Sequence, residues 1–255
     1  MGLPLFYVEP ELIDLDRGVA HLRGADARHL VKSLRARVGD TVLICDAMGT
    51  VYTTSLTGSL QDRVTVSLHS NAYHAPERPQ VVLFQAMGKN AAMDELVSYA
   101  AEVGISRIVP YAGRRSPLEA LTRGKNRIGR WSAIARESSR LSRRPYPLEM
   151  RSPVEELDES VLGKTACRLV LWEEEKEVPL SEALPAAATP ISVALIAGPE
   201  GGLDPAEISV LRSLGARTVS LGLLNLRARS AGPVAAAITR NHYGLLAPGA
   251  GGNDG

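Results

Sequence analysis

Two glycine-bearing loops carry the residue types best suited to chemistry. The first spans residues 195–208 and reads LIAGPEGGLDPAEI. It sets Gly198, Gly201 and Gly202 around the carboxylate of Glu200. A strand is expected to end at Ile196 and a helix to open after Asp204. Asp204 as N-cap, Pro205 at the first helical position and Glu207 two residues on form a capping box, with Leu203 and Ile208 as its hydrophobic staple. The loop is thus anchored at both ends, at the carboxyl end of a strand, where open α/β sheets bind ligands. Glycines let the backbone approach such a ligand closely, and a plain tight turn needs neither three of them nor a carboxylate. The second loop spans residues 219–231, VSLGLLNLRARSA. Leu221, Gly222, Leu223, Leu224 and Leu226 lead through Ser230, read as an N-cap, into a long helix. Leucines inside a loop line a pocket or pack beneath the chain. Arg227 and Arg229 stand where an anion or a developing oxyanion could be held. Read without its neighbour, this stretch is equally a packed connection with solvent-facing arginines.

Other chemistries lack their residues. There is no GxxxxGK[ST] phosphate loop, GxSxG elbow, GxGxxG fingerprint or CxxC pair, and the five histidines are scattered. No metal is therefore expected. Cys45 and Cys167, in strand-like apolar runs, read as buried thiols of a reducing cytoplasm. The opening residues have no basic start and turn acidic, unlike a signal peptide. The apolar stretch around residues 191–197 falls far short of the roughly 20 residues of a membrane span. The chain has 255 residues and a net charge of +1, yet the charge is segregated. Residues 114–151 hold eleven basic residues against three acids, and residues 155–182 hold nine acids against three bases. The basic block suggests a polyanion-facing surface, against the alternative of a merely solvated helix face.

These loops need a frame. Residues 1–73 show short alternating runs at 5–8, 19–22, 41–44, 51–56 and 64–68 separated by turns, the pattern of a small barrel or sandwich. One helix, capped by Asp26, interrupts them. The polar segment 74–79, with two prolines, reads as a linker. Residues 80–247 then alternate strand and helix: strands at 81–86, 107–110, 168–172, 191–196 and 218–221; helices from Asn90 to Gly104 and at 126–141, 204–214 and 230–246. That spacing predicts an α/β domain with a parallel sheet. The tail, 248–255, reads as disordered. The last helix carries Ala231, Val234, Ala235, Ala236 and Ile238, an apolar surface wider than one stripe, as for a helix covered by its own sheet on one side and a second subunit on the other.

GPEGGLDPAEI followed by LG-x-x-x-LR-x-x-(S/T)-A resembles the SPOUT class of RNA methyltransferases, and within it the RsmE family of 16S ribosomal RNA uracil-N3 methyltransferases. The likeness extends over most of the chain. Arg28-His29-Leu30 through Leu34-Arg35 and Gly39-Asp40 match the family's PUA-like barrel. Glu102-Val103-Gly104-Ile105, Arg115-Ser116, and Glu137 with Arg143 and Pro145 match later segments. Departures lie toward the substrate: Ser138 for the usual Gln, Arg140-Leu141 for Gly-Arg, Leu223 for Pro, Arg229 for Glu and Ser230 for Thr. The resemblance implies a SPOUT trefoil-knotted parallel-sheet domain preceded by a small PUA-like β-barrel, and a cytoplasmic homodimer. It implies S-adenosylmethionine as cofactor, held by Leu171, Trp172, Ile196, Gly198, Glu200, Gly201, Gly202, Leu221, Gly222, Leu224 and Leu226. Arg227 and Glu200 are the candidate catalytic residues. His29, Arg35, Arg115, Arg140 and Arg143 are the candidate RNA contacts, the partner being 16S ribosomal RNA within the small subunit. Two rivals fit the same residues: a non-catalytic RNA-binding assembly factor, and a SPOUT methyltransferase acting on another RNA position.

Overall fold

The computed structural model describes residues 2–60, 62–88, 91–163, 165 and 167–247. Asn90 and the tail 248–255, read above as a helix start and as disorder, lie outside them. The chain divides into two units: Met1–Pro76 with Arg140–Pro147, and Glu77–Ser139 with Leu148–Gly255.

The first unit is built on β1 (Leu5–Tyr7), β2 (Ile13–Asp14), β3 (Val19–Arg23), β4 (Thr41–Cys45), β5 (Thr50–Leu60) and β6 (Arg63–Tyr73), with the short helix α1 (Gly24–Arg28) after β3. The sheet order is β1-β4-β5-β6-β3-β2. β1 runs parallel to β4 and every other pair is antiparallel. Period-two alternation turns Ala20 and Leu22, Val42 and Ile44, and Val64 and Val66 inward. They share one core with Phe6 of β1, and Ile13 of β2 packs on it, so the sheet curls over side chains from both its edges. α1 begins at Gly24, whose φ of +58° suits glycine. The residue before it, Arg23, makes no side-chain cap. Asp26, read as the cap, instead sits inside the first turn, where its charge still suits the helix N-terminus.

Residues 140–147 belong to this unit through side chains distant in sequence. The Tyr7 hydroxyl donates to the Arg144 carbonyl at 2.7 Å, the Cys45 thiol to that of Pro145 at 3.2 Å, and the Tyr146 hydroxyl to that of His74 at 2.9 Å. Arg140, expected to face RNA, is 7% exposed. Its guanidinium lies 5.2 Å from the ring centre of Phe6 and donates to the Leu5 carbonyl at 3.4 Å. That expectation is corrected: Arg140 is a packing residue of the first unit.

The second unit comprises β7 (Gln80–Ala86), α2 (Ala91–Glu102), β8 (Arg107–Tyr111), α3 (Ala120–Leu141), β9 (Glu149–Met150), α4 (Glu159–Leu162), β10 (Cys167–Leu171), α5 (Leu180–Ala183), β11 (Ser192–Ala197), α6 (Pro205–Ser213), β12 (Arg217–Val219) and α7 (Ala228–His242). The sheet is parallel throughout, in the order β12-β10-β11-β7-β8-β9. The chain starts in the middle, builds outward through β8 and β9, crosses to β10, and then inserts β11 between β10 and β7. Both faces are covered. Leu83, Leu169, Leu195 and Ala197 join the core that includes Leu96 and Val97 of α2 and Ala235 and Ala236 of α7. Phe84, Val170 and Ile196 join the opposite core with Ile208 and Leu211 of α6.

Three helix expectations change. α3 starts at Ala120, not 126, and includes Gly124: a Cβ there would collide with the sulfur of Met87, so the glycine serves close packing. α7 starts at Ala228 after Arg227, and Ser230 is not its cap; the Ser230 hydroxyl donates back to the Arg227 carbonyl at 3.0 Å. α7 ends at His242 rather than 246. Its small-residue face is covered by the chain's own sheet in part. Ala235 and Ala236 are fully buried, and a Cβ on Gly232 would lie 2.8 Å from Leu83 of β7. Val234 on the same helix is exposed, and Ala231 and Ile238 are half-buried.

Candidate active site

At the carboxyl ends of β10, β11 and β12 the chain encloses a cleft of about 780 Å³, within the usual range for small-molecule sites. Both glycine-bearing loops and the exit of β10 meet there. Leu171, Trp172, Gly198, Glu200, Gly201, Gly202, Leu221, Gly222, Leu224, Leu226 and Arg227 all line it. Ile196 does not. Alternate residues of a strand face opposite ways, and Ile196 points into the α6 side of the core while Ala197 reaches the cleft.

The first loop is gripped along its length. The Tyr111 hydroxyl donates to the Ala197 carbonyl at 3.2 Å, and the Gln85 amide to the Gly198 carbonyl at 3.1 Å. Burial, and then the charge of Glu207, push the Tyr111 phenol well above its usual range, so it remains a donor. Arg115 donates to the Gly201 carbonyl at 2.9 Å. The capping box is present: Asp204 accepts from the Ala206 N–H at 2.9 Å, and Glu207 accepts from the Asp204 N–H at 3.0 Å. The other oxygen of Glu207 accepts from the Arg114 N–H at 3.0 Å, tying the segment after β8 to α6. Gly202 has φ +73°, and a Cβ there would strike the Glu173 carboxylate. Likewise the Glu200 carboxylate occupies the space that a side chain on Gly88 would fill.

The second loop leaves β12 through Ser220, whose hydroxyl accepts from the Gly222 N–H at 3.2 Å. Leu223 and Leu224 line the cleft and stay almost wholly exposed, at 102% and 80%. Arg227 precedes the first turn of α7, where free N–H groups add positive potential. Arg229 is held 3.1 Å from Glu95 of α2, so its charge is already paired. A third segment, after β10, is fixed by Glu175, which accepts from the Thr218 hydroxyl at 2.7 Å and from the N–H groups of Glu177 and Val178 at 3.0 and 3.3 Å. The Thr218 bond first, and then those N–H groups, hold the Glu175 carboxyl below its ordinary range. Arg212 bonds Thr218 at 2.9 Å and lies 5.5 Å from the Trp172 ring centre.

The remaining expected RNA contacts are not among the residues that line the cleft. His29 is half-buried, with its ring 6.1 Å from Phe6. Arg35 and Arg143 are exposed, each in a left-handed backbone conformation. Arg115 is exposed but already committed to the glycine loop. Among the described residues no cluster of His, Cys, Asp and Glu could hold a metal ion, and no helix is long and apolar enough to cross a membrane. Gln85, Tyr111 and the second role of Glu207 were not singled out as site residues from sequence. Gln85 alone left a trace there, as the polar residue in the run VVLFQA.

Comparison with known proteins gives this geometry a setting. The RNA methyltransferase domain family matches residues 76–240, and the RNA methyltransferase PUA domain matches residues 22–67. Ribosomal RNA small subunit methyltransferase E of Mycobacterium bovis is 29% identical over 238 residues, 91% of this chain and 88% of that protein. Its namesake from Synechocystis is 29% identical over 222 residues, 85% of this chain and 71% of that protein. The crystal structure of the Neisseria gonorrhoeae protein of that name, bound to S-adenosyl methionine, superimposes with a TM-score of 0.80 at 22% identity, covering 94% of this chain and 98% of that one. A Legionella pneumophila methyltransferase in complex with the same cofactor also gives 0.80, at 23% identity over 94% and 98% of the two chains. These structures establish the fold, an α/β parallel-sheet domain behind a PUA domain. The resemblance drawn from the glycine loops is borne out, and the chain belongs to the RNA methyltransferase family.

Proposed function

We propose that the protein transfers a methyl group from S-adenosylmethionine to N3 of a uridine in 16S ribosomal RNA. The observation that carries this reading is the convergence of both glycine-bearing loops and the β10 exit on one cleft, with Arg227 at its edge. The cleft fits a nucleoside-sized cofactor: about 780 Å³, glycine backbone along one side, and the carboxylates of Glu173 and Glu200 within reach of a cationic or hydroxyl-bearing ligand. Leu171, Trp172, Gly198, Gly201, Gly202, Leu221, Gly222, Leu224 and Leu226 would hold it. When bound, S-adenosylmethionine supplies an electrophilic methyl group.

The residues of the chain must supply the rest. N3 of uracil is an imide nitrogen that keeps its proton at neutral pH. Its anion spreads charge to O2 and O4, and a fixed guanidinium favours that anion electrostatically. Arg227, exposed before the α7 N-terminus, is assigned this role. Glu200 orients a group at the base or assists removal of the N3 proton. Arg35, Arg143 and the basic face of α3 hold flanking phosphates, with His29 and Arg115 nearby on their own units. A stacked or paired target base must be extruded to reach the cleft.

The assembled small subunit in the cytoplasm is the proposed setting. A second copy of the chain would cover Leu223 and Leu224 beside the cleft, making a homodimer. Residues 1–73 and 80–247 would be the two domains joined by 74–79. Insertion of β11 between β7 and β10 supports a trefoil-knotted reading of the sheet. The test is incubation of the protein and S-adenosylmethionine with small subunits lacking the modification, followed by nucleoside mass spectrometry. The expected product is 3-methyluridine at one position of 16S RNA. In Arg227→Ala the single-turnover rate should fall roughly a hundredfold with cofactor affinity kept. Another methylated nucleoside, or binding without transfer, would overturn the assignment.

A further inference from the structure

Gln85 is a polar residue in a strand buried on both faces, and it is 1% exposed. Its Nε2 donates to two carbonyls, that of Ala86 at 3.0 Å and that of Gly198 at 3.1 Å. Its Oε1 is buried and meets no donor among the described residues. Turning the amide over would set oxygen against both carbonyls, so the two carbonyls fix its orientation and leave Oε1 unpaired. An aliphatic side chain would pack at this position with no buried polar atom to satisfy. The amide is therefore explained by the carbonyls it holds.

Those carbonyls matter because of where they stand. The β7–β11 pairing ends at Gln85 opposite Ala197, so Gly198 is the first residue beyond the ladder. The peptide plane that contains the Gly198 oxygen also contains the Pro199 nitrogen. Fixing that oxygen therefore fixes the direction in which residues 199–202 leave the sheet. Tyr111, at the end of β8, holds the preceding carbonyl, that of Ala197. Neighbouring strands thus grip two successive carbonyls at the exit of β11 from below the loop.

We propose that Gln85, seconded by Tyr111, is a positioning residue of the cofactor loop: it presets the path of residues 199–202 so that the backbone facing S-adenosylmethionine is formed before the ligand arrives. This rests on reading the cleft as the S-adenosylmethionine site. A loop already in its binding shape loses less freedom when the ligand binds. The loss on removing the amide therefore falls on cofactor affinity. Stability shifts little, because Gln85→Met also removes the unpaired Oε1.

The experiment uses the full-length protein as wild type, Gln85→Met and Tyr111→Phe. S-Adenosylmethionine binding is measured by calorimetry, KM and kcat with small-subunit RNA, and thermal unfolding without ligand. In Gln85→Met, Kd and KM for the cofactor should rise together by roughly tenfold, with kcat much less affected. Unliganded melting should move by no more than a few degrees. Tyr111→Phe should change in the same direction by a smaller factor. Folded Gln85→Met with wild-type affinity overturns the proposal, as does a lowered melting temperature at unchanged Kd, the signature of a purely structural role. If Gln85→Met does not fold, Tyr111→Phe decides, and unchanged affinity there overturns it. Wild-type protein that fails to bind S-adenosylmethionine is a separate result: it removes the cleft assignment, and this inference with it.

Discussion

Gly198→Ala tests whether the first loop needs glycine for its own shape. A Cβ at Gly198 would lie 2.9 Å from Leu203 Cγ, 3.1 Å from the Gly202 carbonyl carbon and 3.2 Å from the Leu203 nitrogen. Two of these three neighbours are backbone and cannot rotate aside, and Leu203 is 1% exposed in the α6-side core. The loop must open by a few tenths of an ångström. Overpacking of this kind costs about 1–3 kcal/mol, while an alanine restricts the unfolded chain and returns about 0.4–1 kcal/mol. A net destabilisation of about 1–2 kcal/mol is expected. Gly201→Ala is the matched control. Its Cβ would find nothing closer than Arg115 Cβ at 3.5 Å, an ordinary contact, and its backbone is not left-handed. Its stability should match the wild type or exceed it by up to about 1 kcal/mol. Urea unfolding of the two variants reads the difference directly. Calorimetry then shows whether the opened loop also loses cofactor, with about 1.4 kcal/mol for each tenfold in Kd. If Gly198→Ala unfolds like the wild type and binds like it, or if Gly201→Ala is the less stable of the two, the reasoning from loop geometry is wrong.

Arg140→Ala should destabilise the first unit by about 1–3 kcal/mol in thermal or urea unfolding, since it removes a buried guanidinium stacked on Phe6; RNA affinity of the folded variant should keep its wild-type salt dependence. Arg143→Ala should do the reverse, leaving stability near wild type and flattening the salt dependence of RNA binding by about one phosphate contact. Gly232→Ala places a Cβ 2.8 and 2.9 Å from the methyl carbons of fully buried Leu83, and should cost about 1–3 kcal/mol of stability by denaturant titration. Glu175 predicts an acid effect. Its folded carboxyl is held below the ordinary range by Thr218 and two N–H groups, so its contribution is present above that range and is lost as pH falls through the folded value. Melting curves of wild type and Glu175→Gln should therefore differ near neutrality and converge on acidification; a constant gap would contradict this.

The parts legible in the sequence are those whose physics is local. The capping box at Asp204 depends on residues within one turn, and it forms with bonds of 2.9 and 3.0 Å. The strand and helix alternation after residue 79 follows from composition within short windows, and it stands. The errors are equally instructive. The helix expected from 126 starts at Ala120 and takes in Gly124, whose role is set by the distant Met87. Ile196 and Ala197 are both apolar at a strand end, and a shift of one residue decides which reaches the cleft. Arg140 sits in a run of exposed arginines, and only the return of the chain to Leu5 and Phe6, about 135 residues away, buries it.

Gln85 shows what lies between these cases. An amide in a strand covered on both faces is visible in the sequence as an inconsistency, and a buried amide demands partners. Which partners it takes is not visible, because the carbonyl that it holds comes from a residue 113 positions later. That carbonyl is within reach only because β11 enters the sheet beside β7 after β10 has already been laid down. The same strand order that brings the two loops to one cleft therefore also brings the loop to the side chain that shapes it. A polar residue at the end of a buried parallel strand, next to the strand that carries a binding loop, is thus a better guide to how the site is held than any residue of the loop itself.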